Sequence, residues 1–279
     1  MSSRGFVTGE PLQLGDLPRV WQALDQRDEE VGRADTYAMT QMPLTDRAFD
    51  ERDKTGQRAY IHASAFIGVA RDNQKALEEM LQSGSHIRPH APWNLIRPSF
   101  EAAFYGVWIL SPDTREERLR KALRVAWSEQ KSHTARFDLK VKMAKADDHE
   151  EVAKARARDG QIRQRYIEEA TSLGMTKDQM NQKIVVTNEL PKLTSVFDRF
   201  PDEPTFHLLR WRELSGVMHG DMGATLGLTD KSYRLDIPGG STAVVSLNDD
   251  AFVTACYASA LMQLTAMNLY IRRSTTAHK

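Results

Sequence analysis

The stretch Arg97-Pro98-Ser99-Phe100-Glu101-Ala102-Ala103-Phe104-Tyr105-Gly106-Val107-Trp108-Ile109-Leu110 decides the fold class. From Phe100 to Leu110 it is apolar on nearly every side of a helix, yet far too short to span a bilayer. Such a helix belongs at the centre of a bundle, with other helices covering it all round. Pro98 suits its first turn, where a missing N–H costs little.

Helical signals continue on both sides. Upstream, Ile61, Ala65, Ala70, Leu77, Met80 and Leu81 recur with helical spacing in a helix predicted over 57–82, which Ser83-Gly84-Ser85 stops. Downstream, Thr114-x-x-Glu117 is a capping box for a helix that turns Leu119, Leu123, Ala126 and Trp127 inward. Asp147-Asp148 opens a charged helix whose later face is Ile162, Tyr166, Ala170 and Leu173, and Gly174 ends it. Thr176-x-x-Gln179 caps a short helix, and a further helix is predicted over 205–219. Alternation at Tyr233, Leu235 and Ile237, then Pro238-Gly239-Gly240 and Ala243 to Leu247, predicts a small hairpin near 233–247. The last helix, 249–272, carries a narrow stripe of Ala251, Ala255, Ser259 and Gln263 suited to close helix contact.

The expected architecture is therefore all-α, a helical bundle with one hairpin. Residues 56–279 form a single helical domain. Residues 1–55, rich in Gly, Pro, Asp and Arg, read as a loosely ordered arm with at most a short helix around 17–27.

Composition narrows the function classes. The 279 residues carry 38 Lys plus Arg and 38 Asp plus Glu, so the chain lacks the basic excess that bulk binding to long nucleic acid requires. A local basic patch remains open. With 41% hydrophobic and 27% charged residues the chain is globular, and Cys256, its one cysteine, excludes an internal disulfide and a thiolate metal cage. No secretory start or apolar span is evident, so a cytoplasmic protein with no membrane association is expected.

One constellation stands out. On the 205–219 helix, Arg212, Ser215 and His219 share an arc of roughly 60°, while Phe206, Trp211, Leu214, Val217 and Met218 take the core side. Gly220 follows directly. The segment Arg212-Glu213-Leu214-Ser215-Gly216-Val217-Met218-His219-Gly220 resembles the HEPN superfamily, in which an Arg is followed after four to six residues by a His. The resemblance implies an all-α, homodimeric protein and, by analogy, a metal-independent ribonuclease of defence or stress response with RNA as its partner. In that chemistry His219 moves a proton at the ribose or leaving oxygen, and Arg212 stabilises the phosphate charge. Glu213 departs from the small polar residue or His common after the Arg in active members. A non-catalytic helical module that binds a protein partner or a nucleotide, with the same residues as a solvated polar face, is the alternative.

A second likeness joins Arg97-Pro98-Ser99-Phe100-Glu101 through Trp108, Arg118 to Arg124, and Ser215-x-x-x-His219-Gly220 to uncharacterised bacterial helical proteins. Arg97 and Glu101 are expected to pair at the mouth of the apolar helix. Arg210 needs a carboxylate partner if buried, with Glu101 one candidate, and His62 is either a core histidine or a lining of the groove beside His219. Pro89 keeps His86 and His90 off a common helix face, His149 sits in a charged helix start, and Gly239-Gly240-Ser241 lacks the Lys of a phosphate loop. No cofactor and no metal site is predicted.

Overall fold

The computed structural model describes residues 13–40, 45–83, 89–143, 149–200, 202–237 and 240–277. Among them are eleven α-helices and one two-stranded antiparallel sheet. The helices are α1 (Leu17–Thr40), α2 (Asp46–Asp50), α3 (Lys54–Gln82), α4 (Trp93–Leu110), α5 (Arg115–Met143), α6 (His149–Ser172), α7 (Lys177–Asn181), α8 (Val186–Glu189), α9 (Glu203–Met218), α10 (Met222–Gly227) and α11 (Asp249–Thr275). Strands β1 (Thr229–Ile237) and β2 (Gly240–Leu247) form the hairpin between α10 and α11, in register from Thr229↔Leu247 to Ile237↔Gly240 with a bulge at Ser232/Arg234. No helix among the described residues is long and apolar enough to cross a membrane.

The apolar helix occupies the centre, as its composition requires. Phe100, Phe104, Val107, Trp108, Ile109 and Leu110 have no exposed surface, and α3, α5, α8, α9 and α11 all pack on α4. It starts earlier than Pro98 suggests. Trp93 and Ile96 are buried, and the Trp93 indole N–H donates to the Pro89 carbonyl at 2.8 Å, so Pro98 lies inside the helix. At Gly106 an added Cβ would come within 3.3 Å of Ala266 Cβ, which is how closely α11 approaches. Ala266, outside the stripe read from the sequence, makes that approach, and within the stripe Ser259 accepts from Gln74 at 3.0 Å.

The N-terminal segment corrects the expectation of a loose arm. Leu17, Val20, Trp21, Leu24, Val31 and Ala34 are buried, and α1 packs along α11. Polar contacts lock it there: Trp21 Nε1 donates to Gln74 Oε1 at 3.1 Å, and Arg47 of α2 reaches Asp35 at 2.5 Å and the Tyr270 hydroxyl at 3.0 Å. The α2–α3 corner is tight. A Cβ on Gly56 would fall 1.7 Å from the Asp50 carbonyl oxygen, so only glycine fits. Beside that corner Arg118 of α5 holds the fully buried Asp50 carboxylate through Nε at 2.7 Å and an NH2 contact at 2.8 Å, while the Tyr60 hydroxyl donates to it at 2.8 Å.

Helix ends behave as their residues predict. Thr176 and Gln179 form a reciprocal capping box. Gly174 and Gly220 adopt left-handed φ of 65° and 72°, closing α6 and α9 with paired backbone bonds (Met175 N to Ala170 O, Asp221 N to Gly216 O). The charged helix begins at His149; Asp147 and Asp148 lie outside the described residues, as do His86, Pro238 and Gly239. A second, smaller core of Leu123, Trp127, Ala170, Met175 and Met180 joins α5, α6 and α7.

Candidate functional site

On α9 the buried residues are Glu203, His207, Trp211 and Leu214. Phe206 and Val217, expected in the core, are only partly covered, and Met218 is 38% exposed. The difference follows from His207 and Glu203 occupying interior positions that the sequence pattern assigned to apolar side chains. Arg212 and His219 are exposed and Ser215 is half-buried. No hydrogen bond or ion pair joins these three side chains to one another or to another described side chain.

The other candidates are dispersed. Arg97 pairs with Glu101 at 3.4 Å, and its guanidinium lies 4.8 Å from the centre of the Trp211 ring. Arg210 pairs with Glu213 at 2.8 Å, in place of the Glu101 partner considered for it. His62 is half-buried, 3.5 Å from Glu129, and stacks on Phe66. Burial there holds its imidazole pKa below the usual value, against the pull of Glu129.

Two polar clusters were not anticipated. Glu203 and His207, four apart on α9, are both fully buried and 3.4 Å from each other. Burial pushes the Glu203 carboxyl up, but the hydrogen bonds from His207 and Arg199 prevail and hold it below its ordinary value. Burial likewise lowers His207, whose Nδ1 has no hydrogen-bond partner among the described residues. Arg199 extends the cluster by donating to Thr265 Oγ1 at 2.7 Å.

The other cluster lines a cleft of about 640 Å³, within the size range of small-molecule sites. One face is α5: Glu117, Arg120, Lys121 and Arg124, spaced three and four apart, point the same way. The opposite wall is the Gly174-Met175 turn, Gln179 and Gln182, and the short stretch from Glu189 to Ser195. Hydrogen bonds fix the frame. Arg120 Nε donates to the Leu173 carbonyl at 3.1 Å, and an Arg124 guanidinium N–H donates to the Gln182 carbonyl at 3.2 Å.

Trp108 underlies this face, with the Lys121 Nζ 4.9 Å and the Arg124 guanidinium carbon 5.0 Å from its ring centre. Its indole N–H donates to Glu189 at 3.0 Å, and Lys192 Nζ reaches the other Glu189 oxygen at 3.1 Å. Burial pushes Glu189 up, yet these two donors, with the charges of Lys192 and Arg124, keep it below the ordinary carboxylate value.

Lys121 donates to Ser111 Oγ at 3.4 Å, and burial brings its pKa down to about 8. Arg124 Nε is buried with no hydrogen-bond partner among the described residues. Among the described residues, neither Lys121 nor Arg124 has a carboxylate in ion-pair contact. Partly desolvated cations in a cleft favour an anionic occupant, because it restores the interactions lost with water. The α5 spacing was visible in the sequence; that Lys192 and Glu189 face it was not.

Among the described residues no three His, Cys, Asp or Glu side chains group as metal ligands would. Comparison with protein-family models, curated proteins and solved structures finds no match to this chain.

Proposed function

We propose that this helical bundle binds a small anionic ligand, phosphate-bearing in the first instance, in the cleft between α5 and the 189–195 segment. The observation that carries this is the convergence of Lys121 and Arg124 on the cleft with, among the described residues, no carboxylate in ion-pair contact with either. Arg120 and Lys192 add positive charge at the rim. Glu117 and Asp113 are the opposing acids, and Asp113 leans toward Arg273 at 3.3 Å. Glu189 is already engaged by Trp108 and Lys192. Its fixed carboxylate acts as a brace for the cations.

The test is thermal unfolding with added inorganic phosphate. A ligand of the folded state at a hundred times its Kd raises stability by about 2.7 kcal/mol. The wild type should gain in melting temperature, and Lys121→Met and Arg124→Met should lose most of that gain. Equal gains in all three proteins would remove the cleft as the site.

A second reading has its own support in the α9 face. Arg212, Ser215 and His219 lie along one helix, with Arg212 and His219 exposed and, among the described side chains, unengaged, as residues awaiting a substrate would be. Joined to the HEPN resemblance, this supports a metal-independent ribonuclease acting as a homodimer, with His219 transferring the proton and Arg212 meeting the phosphate. Cleavage of a labelled RNA pool in chelator, lost in both His219→Ala and Arg212→Ala, is its expected result. Intact RNA with folded wild type would set it aside.

A further inference from the structure

Lys121 differs from a surface lysine in what surrounds it. Among the described residues its Nζ is in ion-pair contact with no carboxylate; it rests near the buried Trp108 ring and lies 3.4 Å from Ser111 Oγ. Lys154, by contrast, pairs with Glu150 at 2.7 Å in open solvent, and Lys192 is held by Glu189. An amine kept from water spends more of its time neutral, here against the pull of the Glu189 and Glu117 charges, and only the neutral amine has a lone pair to give. The partly buried α5 amine therefore has the surroundings of a nucleophile, and the guanidinium of Arg124 one turn along has those of an anion holder.

Taking the anion-binding cleft as given, we propose that Lys121 forms an imine with an aldehyde or ketone that carries a phosphate or carboxylate group. Arg124, Arg120 and Lys192 hold the anionic group, leaving the carbonyl carbon beside Nζ. The Nζ lone pair forms the C–N bond as the carbonyl π pair moves to oxygen. The nitrogen loses a proton and the oxygen gains one, giving a carbinolamine. Protonation of its hydroxyl then lets water leave, the nitrogen lone pair closes the C=N bond, and the remaining N–H proton returns to solvent or to a base. The sum is amine plus carbonyl giving imine plus water, with no other reactant. Ser111 Oγ is placed to relay protons at Nζ, and Glu117, one turn before Lys121 in the same cleft, is the nearest acid on α5.

The experiment is reductive trapping with cyanoborohydride on the full chain, read by intact mass and peptide mapping. Pyridoxal 5′-phosphate and pyridoxal serve as probes with and without the anionic group, and glyoxylate as the carboxylate probe. The expected result is one reduced adduct, on Lys121, whose rate ratio between the phosphate-bearing probe and pyridoxal exceeds the ratio at exposed Lys154 by about tenfold, the worth of one charge-assisted hydrogen bond. Inorganic phosphate should slow it, Lys121→Arg should abolish it, and Arg124→Gln should bring the ratio of the two pyridoxal probes close to that at Lys154. Faster labelling by glyoxylate than by either pyridoxal probe would assign the anionic group as a carboxylate.

Label spread over exposed lysines, with Lys121 no faster than Lys154, overturns the proposal. If phosphate then still raises the melting temperature through Lys121 and Arg124, the anion cleft stands and the imine alone falls. A phosphate-to-pyridoxal rate ratio at Lys121 no greater than at Lys154 also overturns it, because the amine then reacts without an anion holder.

Discussion

Lys121 holds its ammonium 4.9 Å from the centre of the fully buried Trp108 ring, inside a cleft it shares with Arg124. Burial is the main cause of its lowered pKa of about 8; Glu189 and Glu117 pull against it, and Arg124 and Lys192 add repulsion. A bound anion favours the charged amine, so binding and protonation are linked. Affinity for sulfate, whose own charge is constant in this range, should be greatest below pH 8 and fall as Lys121 deprotonates above it. Calorimetry from pH 6.5 to 9.5 measures this, and Lys121→Arg should flatten the fall. An unchanged profile in that variant would assign the pH dependence to another group.

The Asp50–Arg118 pair is the structural anchor of the N-terminal third. Both side chains are almost wholly buried, and they join α2 to α5 across 68 residues of sequence. Removing one partner of such a pair leaves a buried charge unmatched, typically costing about 3–5 kcal/mol. Asp50→Ala should therefore lower unfolding stability by that much in denaturant titration, and Asp50→Asn should recover part of it through Tyr60. A loss under about 1 kcal/mol, the range of exposed pairs, would mean that water reaches the site.

Acid should weaken the fold through His207 and Glu203. Both have folded pKa values below their ordinary ones, so the unfolded chain binds more protons and stability is lost as pH falls. For His207 the loss begins below about pH 6.5, the unfolded value, and Glu203 adds to it below 4.5. Melting temperatures from pH 8 to 5 should decline in the wild type, and less in His207→Gln, which cannot take up a proton. Parallel curves would show that another group controls the decline.

Among the described residues, the Arg212, Ser215 and His219 side chains make no hydrogen bond or ion pair with another side chain. Alanine at each position should change stability by no more than about 0.5 kcal/mol, as at ordinary surface sites. Any loss of RNA cleavage in those variants would then report chemistry. A large destabilisation would instead make the α9 face structural.

The centre of this fold was legible because Phe100 to Leu110 are apolar on nearly every side, leaving only a narrow strip at Glu101 and Tyr105 on which the helix could meet water. Glycine stops at Gly174 and Gly220 and the Thr176 capping box are local signals, and they set the helix ends they predict. The α1 helix was equally periodic: Leu17, Val20, Trp21, Leu24, Val31 and Ala34 trace one stripe. It was obscured by the charged residues between them, which dilute the apolar content of the segment without disturbing the face. Glu203 and His207 were hidden for the opposite reason, since polarity argues for the surface and only the Arg199 contact explains their burial. The cleft was half legible. Its α5 face is written in the spacing of residues 117–124, but Glu189 and Lys192 arrive from more than sixty residues away, a contact no local pattern encodes.

The most direct measurement is calorimetric titration of inorganic phosphate into the full chain at pH 7, with Lys121→Met and Arg124→Met alongside. The account predicts one binding site per chain in the wild type, with affinity reduced at least about tenfold in each variant, as loss of a charge-assisted hydrogen bond requires. Binding of equal strength in all three proteins, or no binding in the wild type, would contradict it.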